Sequence, residues 1–202
     1  HGAGEGQWKT WQRYVRKFDV KRAVEQSKFK EIRLPNRLLH NAKSSIDVIR
    51  YFEKNKSQVY CAVDIESIEG IPVCIGFSFQ SHEGFTVPLW NTLPIRCENQ
   101  AHPKKSYSYD LQISTIPSPD LATIWKYLAF IFLNDKIKFI GQNFKYDEDK
   151  LNRLGFYINL YYDTMLGTHC ISSEMPKSLA FQTSTRTEQP YYKLEGKNFI
   201  PG

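Results

Sequence analysis

Apolar and polar positions change period several times along this chain. Between residues 8 and 27, Trp8, Trp11, Val15, Phe18 and Ala23 recur at roughly helical spacing, with Lys and Arg between them. This spacing predicts one or two basic amphipathic helices. Pro35-Asn36 marks a loop. Ile46, Val48, Ile49 and Phe52 then give the apolar face of a helix ending near residue 54, with Ser45 as its N-cap. From residue 58 the pattern becomes that of strands, predicted at 58–65, 72–80 and 85–90. Turns at Glu69-Gly70 and His82-Glu83-Gly84 join them into an antiparallel meander.

Between 91 and 119 the pattern weakens into a polar, proline-containing stretch, with Lys104-Lys105 beside Tyr107 and Tyr109. It predicts a long loop. A helix follows to about residue 133, with Ser118 as N-cap and Pro119 at its first position. Its apolar face is Leu121, Ile124, Leu128, Ile131 and Phe132. A short strand is predicted at 136–140, a helix at 146–154 stopped by Gly155, a strand at 156–162, and a helix at 164–171 capped by Asp163. The order β-β-β-α-β-α-β-α predicts an α/β fold: a mixed five-stranded sheet with flanking helices. The expected organisation is a basic helical arm over 1–40 and one α/β domain over 41–202.

Composition narrows this picture. The 202 residues, 41% of them hydrophobic and 24% charged, suit one sizeable core. No apolar run reaches membrane-spanning length, so no membrane partner is expected. Cys61, Cys74, Cys97 and Cys170 are widely spaced without a CxxC pair. Buried or free thiols and a reducing intracellular setting follow, not a disulfide framework or zinc site. A net charge of +6 favours a polyanionic partner such as nucleic acid. The basic N-terminal helix is then either a DNA-contacting arm or an aromatic stripe packed on a core.

Candidate chemistry centres on the run Val-Tyr-Cys-Ala-Val-Asp-Ile-Glu over 59–66. Asp64 and Glu66 share one face of the strand, because side chains alternate with period two. Two adjacent carboxylates at a buried strand end call for a positive counterpart, commonly a divalent metal. A second acidic element, Gly-Gln-Asn-Phe-Lys-Tyr-Asp over 141–147, follows the fourth strand. Asn143 and Asp147 are four apart, on one face if the helix starts there. If the fourth strand lies parallel beside the first, Asp147 reaches Asp64 and Glu66. Hard oxygen donors at that density suit Mg²⁺ or Mn²⁺ and phosphodiester cleavage. Metal-free glycoside hydrolysis by a carboxylate pair is the weaker alternative, given the basic balance.

These residues carry a resemblance. Val63-Asp64-Ile65-Glu66 resembles the first motif of DEDD-type 3′→5′ exonucleases, and 141–147 is similar to the second, closest to its form in family A DNA polymerases. Tyr162-Asp163-Thr164-Met165-Leu166, Pro176 to Phe181 and Pro190 to Lys193 are similar to the same proofreading domains, particularly phage members. The resemblance spans roughly 45–195. It implies an RNase H-like fold, two divalent ions (Mg²⁺ or Mn²⁺), a single-stranded DNA 3′ end as substrate, and a polymerase domain in the same or a partner chain. It also implies Asp64, Glu66 and Asp147 as catalytic metal ligands, with Asn143, Phe144 and Tyr146 at the substrate. Segment 1–23 resembles the tail of a uracil-DNA-glycosylase-like domain, as if both ends were internal to a larger replication protein.

The family's third motif, Tyr-x-x-x-Asp or His with a later Asp, has no match. No Asp follows Asp163, so Tyr191, Tyr192 and His169 lack a partner Asp at the required spacing. The expectation is a chain cut before that helix, or one that has lost catalysis, with little nuclease activity over these residues. Two other readings remain: a non-catalytic RNase H-like module binding DNA or a polymerase, and an RNA-trimming exonuclease of the same fold.

Overall fold

The computed structural model describes residues 3–31, 33, 35–98, 106–187 and 189. They fall into two compact units. One comprises the residues up to Asn36 together with those from Thr164 onward; the other is Arg37–Asp163. This division differs from an arm over 1–40 and a domain over 41–202. The segment after Asp163 groups with the N-terminal helix, not with the sheet.

The central unit holds a six-stranded sheet. In chain order its elements are β1 (Leu38–Asn41), α2 (Ser45–Lys54), β2 (Tyr60–Ile68), β3 (Ile71–Gln80), β4 (Glu83–Pro88), β5 (Thr92–Glu98), β6 (Ser106–Gln112), α3 (Ser118–Phe132), β7 (Lys138–Gly141), α4 (Lys145–Arg153) and β8 (Leu160–Asp163). The sheet order is β1-β4-β3-β2-β7-β8. β2, β3 and β4 form the antiparallel meander, while β7 runs parallel to β2 and β8 parallel to β7. The fold class is therefore the mixed α/β sheet expected, with six strands in place of five. The sixth is β1, parallel to β4 at the sheet edge. All four of its residues are exposed, so no burial pattern marked it.

The stretch expected as a long loop instead contains the β5–β6 hairpin, paired from Thr92↔Gln112 to Glu98↔Ser106. Leu93 is buried with Val73, and Leu111 and Ile113 pack on that pair. Lys104-Lys105 lies outside the described residues.

Alternation builds the main core. Cys61, Val63 and Ile65 of β2 are buried while Ala62, Asp64 and Glu66 are exposed. On the buried face, Val48, Tyr51 and Phe52 of α2 and Ile124, Leu128, Ile131 and Phe132 of α3 meet Ile75, Phe77 and Val87. Phe52 packs edge-on against Phe77, with ring centroids 5.1 Å apart. Asp120 ties the two helices by accepting from the backbone N–H and the hydroxyl of Ser45. That use displaces Ser45 from its expected capping role, and Ser44 accepts from the Asp47 N–H in its place. Likewise Pro117, not Ser118, is the cap residue of α3. Among the described side chains Cys61, Cys74 and Cys170 are free thiols, buried, half-buried and exposed respectively, and burial pushes the Cys61 thiol up to about 12.

The other unit contains α1 (Ala3–Gln26), α5 (Thr164–Ile171) and α6 (Leu179–Arg186). α6 was not predicted; Ser178 caps it by accepting from the Phe181 N–H. Thr168 donates to Gln182 at 2.8 Å, joining α5 to α6. Arg22 donates to the Ser184 and Thr187 carbonyls, joining α1 to α6. Among the described residues no helix is long and apolar enough to cross a membrane.

Gly141 illustrates how tightly the sheet meets the next helix. A Cβ there would clash with the Phe144 ring, which is itself fully buried. Gly141→Ala is expected to lower stability by about 1–3 kcal/mol through overpacking. Urea denaturation checks this, with an unchanged midpoint as the contrary result.

Candidate active site

The site begins with the register of two parallel strands. Ala62 of β2 pairs with Ile140 of β7, which brings Gly141 level with Val63. The chain therefore leaves the sheet beside Asp64. It turns through Asn143, whose φ is 55°, a left-handed conformation that Asn tolerates better than most residues. Phe144 then starts α4 with no side-chain cap. Asp163 satisfies those amides from the end of β8. Its carboxylate accepts from the Asn143 N–H at 3.1 Å and the Phe144 N–H at 2.8 Å. Sequence reasoning placed Asp163 at the start of α5; the structure shows a tie from its carboxylate to the start of α4 that the sequence did not suggest. The pairing Gly141↔Asp163 explains the reach.

This turn fixes where Asp147 points. It is the third residue of α4 and only 6% exposed. Burial raises its pKa to about 7, with further upward pushes from Asp64, Glu66 and Asp163, opposed by Lys150. Asp64, although reached by solvent on the open face of β2, is also raised, first by partial desolvation among its neighbours and then by Glu66. The structure thus brings Asp64, Glu66 and Asp147 into one electrostatic neighbourhood. Like charges held together in this way favour a proton or a cation.

Two expected placements are corrected. Asn143 does not share a helical face with Asp147, because it precedes α4 in the left-handed turn. Phe144 is a core residue packed against Gly141, so its side chain is not available to a substrate. Tyr146 is exposed.

Lys150 was not singled out from sequence, although its i+3 spacing from Asp147 on a helix was visible. It is 8% exposed, and its ammonium has no hydrogen-bond partner. Its Nζ lies 4.2 Å from the Tyr146 ring centroid, a cation–π contact. The Ser67 hydroxyl is likewise buried without a partner, at the β-bulge that follows Glu66.

The three acidic side chains offer only hard oxygen donors, in kind a Mg²⁺ or Mn²⁺ set. Among the described residues, however, no three His, Cys, Asp or Glu side chains converge closely enough to hold an ion. The donor chemistry fits a metal; the arrangement is open.

Two expectations follow. Asp163→Ala removes two charge-assisted hydrogen bonds from buried amides and is expected to cost roughly 2–3 kcal/mol, read as a fall in urea midpoint. The second concerns pH. Asp147 has a folded pKa near 7 against an ordinary value of 3.8. The folded chain therefore keeps a proton that the unfolded chain releases. Without metal, stability attributable to this group falls as pH rises from about 4 to about 7. Asp147→Asn should flatten that decline and be the more stable protein at about pH 8, measured by denaturation in EDTA. Parallel profiles for the two proteins would contradict this.

No protein-family profile matches the sequence. No curated protein matches it either. Solved structures do. The EXO domain of Nibbler from Aedes aegypti superposes with a TM-score of 0.54 at 12% identity, over 86% of this chain and 79% of that one. The catalytic core of RRP6 from Trypanosoma brucei gives 0.52 at 16% identity, over 86% of this chain and 43% of that one. Its C496S mutant gives 0.50 at 18% identity, over 73% of this chain and 34% of that one. The chain thus spans less than half of the RRP6 cores. At these identities the likeness is one of architecture: this chain has the RNase H-like fold on which such exonuclease domains are built.

Proposed function

We propose that this chain is a 3′→5′ exonuclease domain in which Asp64, Glu66 and Asp147 hold divalent metal ions. The observation that carries the reading is the burial of Asp147 in the field of Asp64 and Glu66, on the helix that follows a strand parallel to the one bearing that pair. Mg²⁺ or Mn²⁺, one or two ions, would bind these carboxylates and supply an acidified water and charge neutralisation at the leaving oxygen. The chain's own contributions are positional. Asp163 pins the turn that presents Asp147, and exposed Asn143 and Tyr146 flank the approach for a strand end. The finer reading is a proofreading domain of a family A, phage-like DNA polymerase, acting on a single-stranded DNA 3′ end beside a polymerase domain. It rests on the sequence motifs at 63–66 and 141–147.

A second reading is favoured by the open arrangement of the acids: a non-catalytic RNase H-like module that binds nucleic acid or a polymerase. Metal binding separates the two and needs only the three carboxylates. Mn²⁺ is expected to raise the melting temperature of the wild type and leave Asp64→Ala and Asp147→Ala unmoved. Any Mg²⁺- or Mn²⁺-dependent shortening of a 5′-labelled single strand from its 3′ end is expected to be slight over these residues and to be lost in Asp64→Ala. No Mn²⁺ effect and no cleavage, with DNA binding intact in EDTA, would establish the non-catalytic module instead. DNA and RNA strands assayed side by side distinguish proofreading from RNA trimming.

A further inference from the structure

The helix α1 borders a cleft of about 620 Å³ that the carboxylate chemistry does not use. Its walls carry Lys21, Arg22 and Arg33, with Glu25 as the one acid among the lining residues. Glu25 is already engaged: Lys28, outside the cleft lining, pairs with it at 2.8 Å and holds its carboxyl below the usual range. Lys21, Arg22 and Arg33 make no ion pair among the described residues. The cleft is therefore cationic in net terms.

Two of these cations are held in place over aromatic rings. The Arg33 guanidinium lies 3.8 Å from the Phe29 ring centroid, and that of Arg22 lies 5.4 Å from Phe18. The Gln26 amide clamps Arg33 from both sides, donating to its carbonyl at 3.1 Å and accepting from its N–H at 2.9 Å. Arg22 is oriented by the carbonyls of Ser184 and Thr187, which are neutral and leave its charge available. Guanidinium planes backed by rings are stacking platforms for bases, and lysine and arginine beside them take phosphates. The volume suits a ligand of nucleotide size.

We propose that this cleft binds a segment of single-stranded nucleic acid, with phosphate at Lys21 and Arg22 and a base against the Arg33–Phe29 stack. This inference does not depend on the carboxylates being catalytic. It gives the basic helix a specific anionic partner in place of a merely solvated face.

The test is fluorescence anisotropy of a labelled single strand with the full chain in EDTA, as DNA and as RNA. The variants are Lys21→Glu/Arg33→Glu, the milder Lys21→Gln/Arg33→Gln, and Lys126→Glu on exposed α3 as a charge control. The Glu pair is expected to weaken binding at least about 10-fold near 0.1 M salt, and the Gln pair, which removes the one phosphate contact of Lys21 and the stacking of Arg33, to lower the slope of log K against log salt by roughly 0.7. The proposal is overturned if the folded Gln pair binds as tightly as wild type. It is equally overturned if Lys126→Glu weakens binding as much as the Glu pair, or if a duplex binds as tightly as the single strand. Far-UV circular dichroism establishes folding, and the Gln pair decides the matter should the Glu pair unfold.

Discussion

Three strand ends and one carboxylate determine whether this molecule has a site. Parallel strands bring the ends of β7 and β8 level, but pairing alone would leave the first amides after β7 buried without acceptors. Asp163 takes both of them. The two bonds define the left-handed turn at Asn143 and hence the direction of α4. Every side chain on that helix inherits its position from this arrangement. Asp147 faces the acids of β2, and Leu151 enters the core. A buried unpaired N–H costs of the order of 1–3 kcal/mol, so the turn and the carboxylate stand or fall together.

The acidic neighbourhood is in tension with the core beneath it. Hydrophobic packing buries Asp147, while Asp64 and Glu66 make its ionised form expensive. Lys150 relieves part of that cost, yet is itself nine-tenths buried without a hydrogen-bond partner. The surrounding sheet holds both charges because its own packing is extensive: α2 and α3 bury an aromatic layer on the opposite face of β2 from Asp64 and Glu66. Stability gathered there offsets what the acids cost. Local strain tolerated near a site of chemistry is a common division of labour.

The parts legible in the sequence were those that bury a patterned face. Alternation marked β2, β3 and β4, and the 3.6 period marked α2 and α3. The acids of β2 were legible for the same reason, since buried neighbours fix which face they occupy. What could not be read depended on contacts distant in sequence. β1 has no buried residue to mark it and pairs with β4, more than forty positions along the chain. The tie from Asp163 to the amides of Asn143 and Phe144, about twenty residues earlier, was not legible because only the sheet brings them near. Phe144 matched a family motif, but one motif can mix core and site residues. Burial against Gly141 separates them. Lys150 lay within reach of helical-spacing arguments and was missed because a lysine among helix surface residues rarely points inward.

The bulge between Glu66 and Ser67 bears on how the molecule can vary over generations. β2 and β3 are joined by a tight turn at Glu69 and Gly70, both with positive φ. In an unbroken ladder, adding or deleting one residue there would rotate every side chain of β2 onto the opposite face. A bulge already absorbs one residue of mismatch, so length changes at the turn can be accommodated beyond Glu66. Asp64 and Glu66 are thereby insulated from insertions and deletions in the neighbouring hairpin. Lineages are free to remodel that tip while the acidic pair keeps its face.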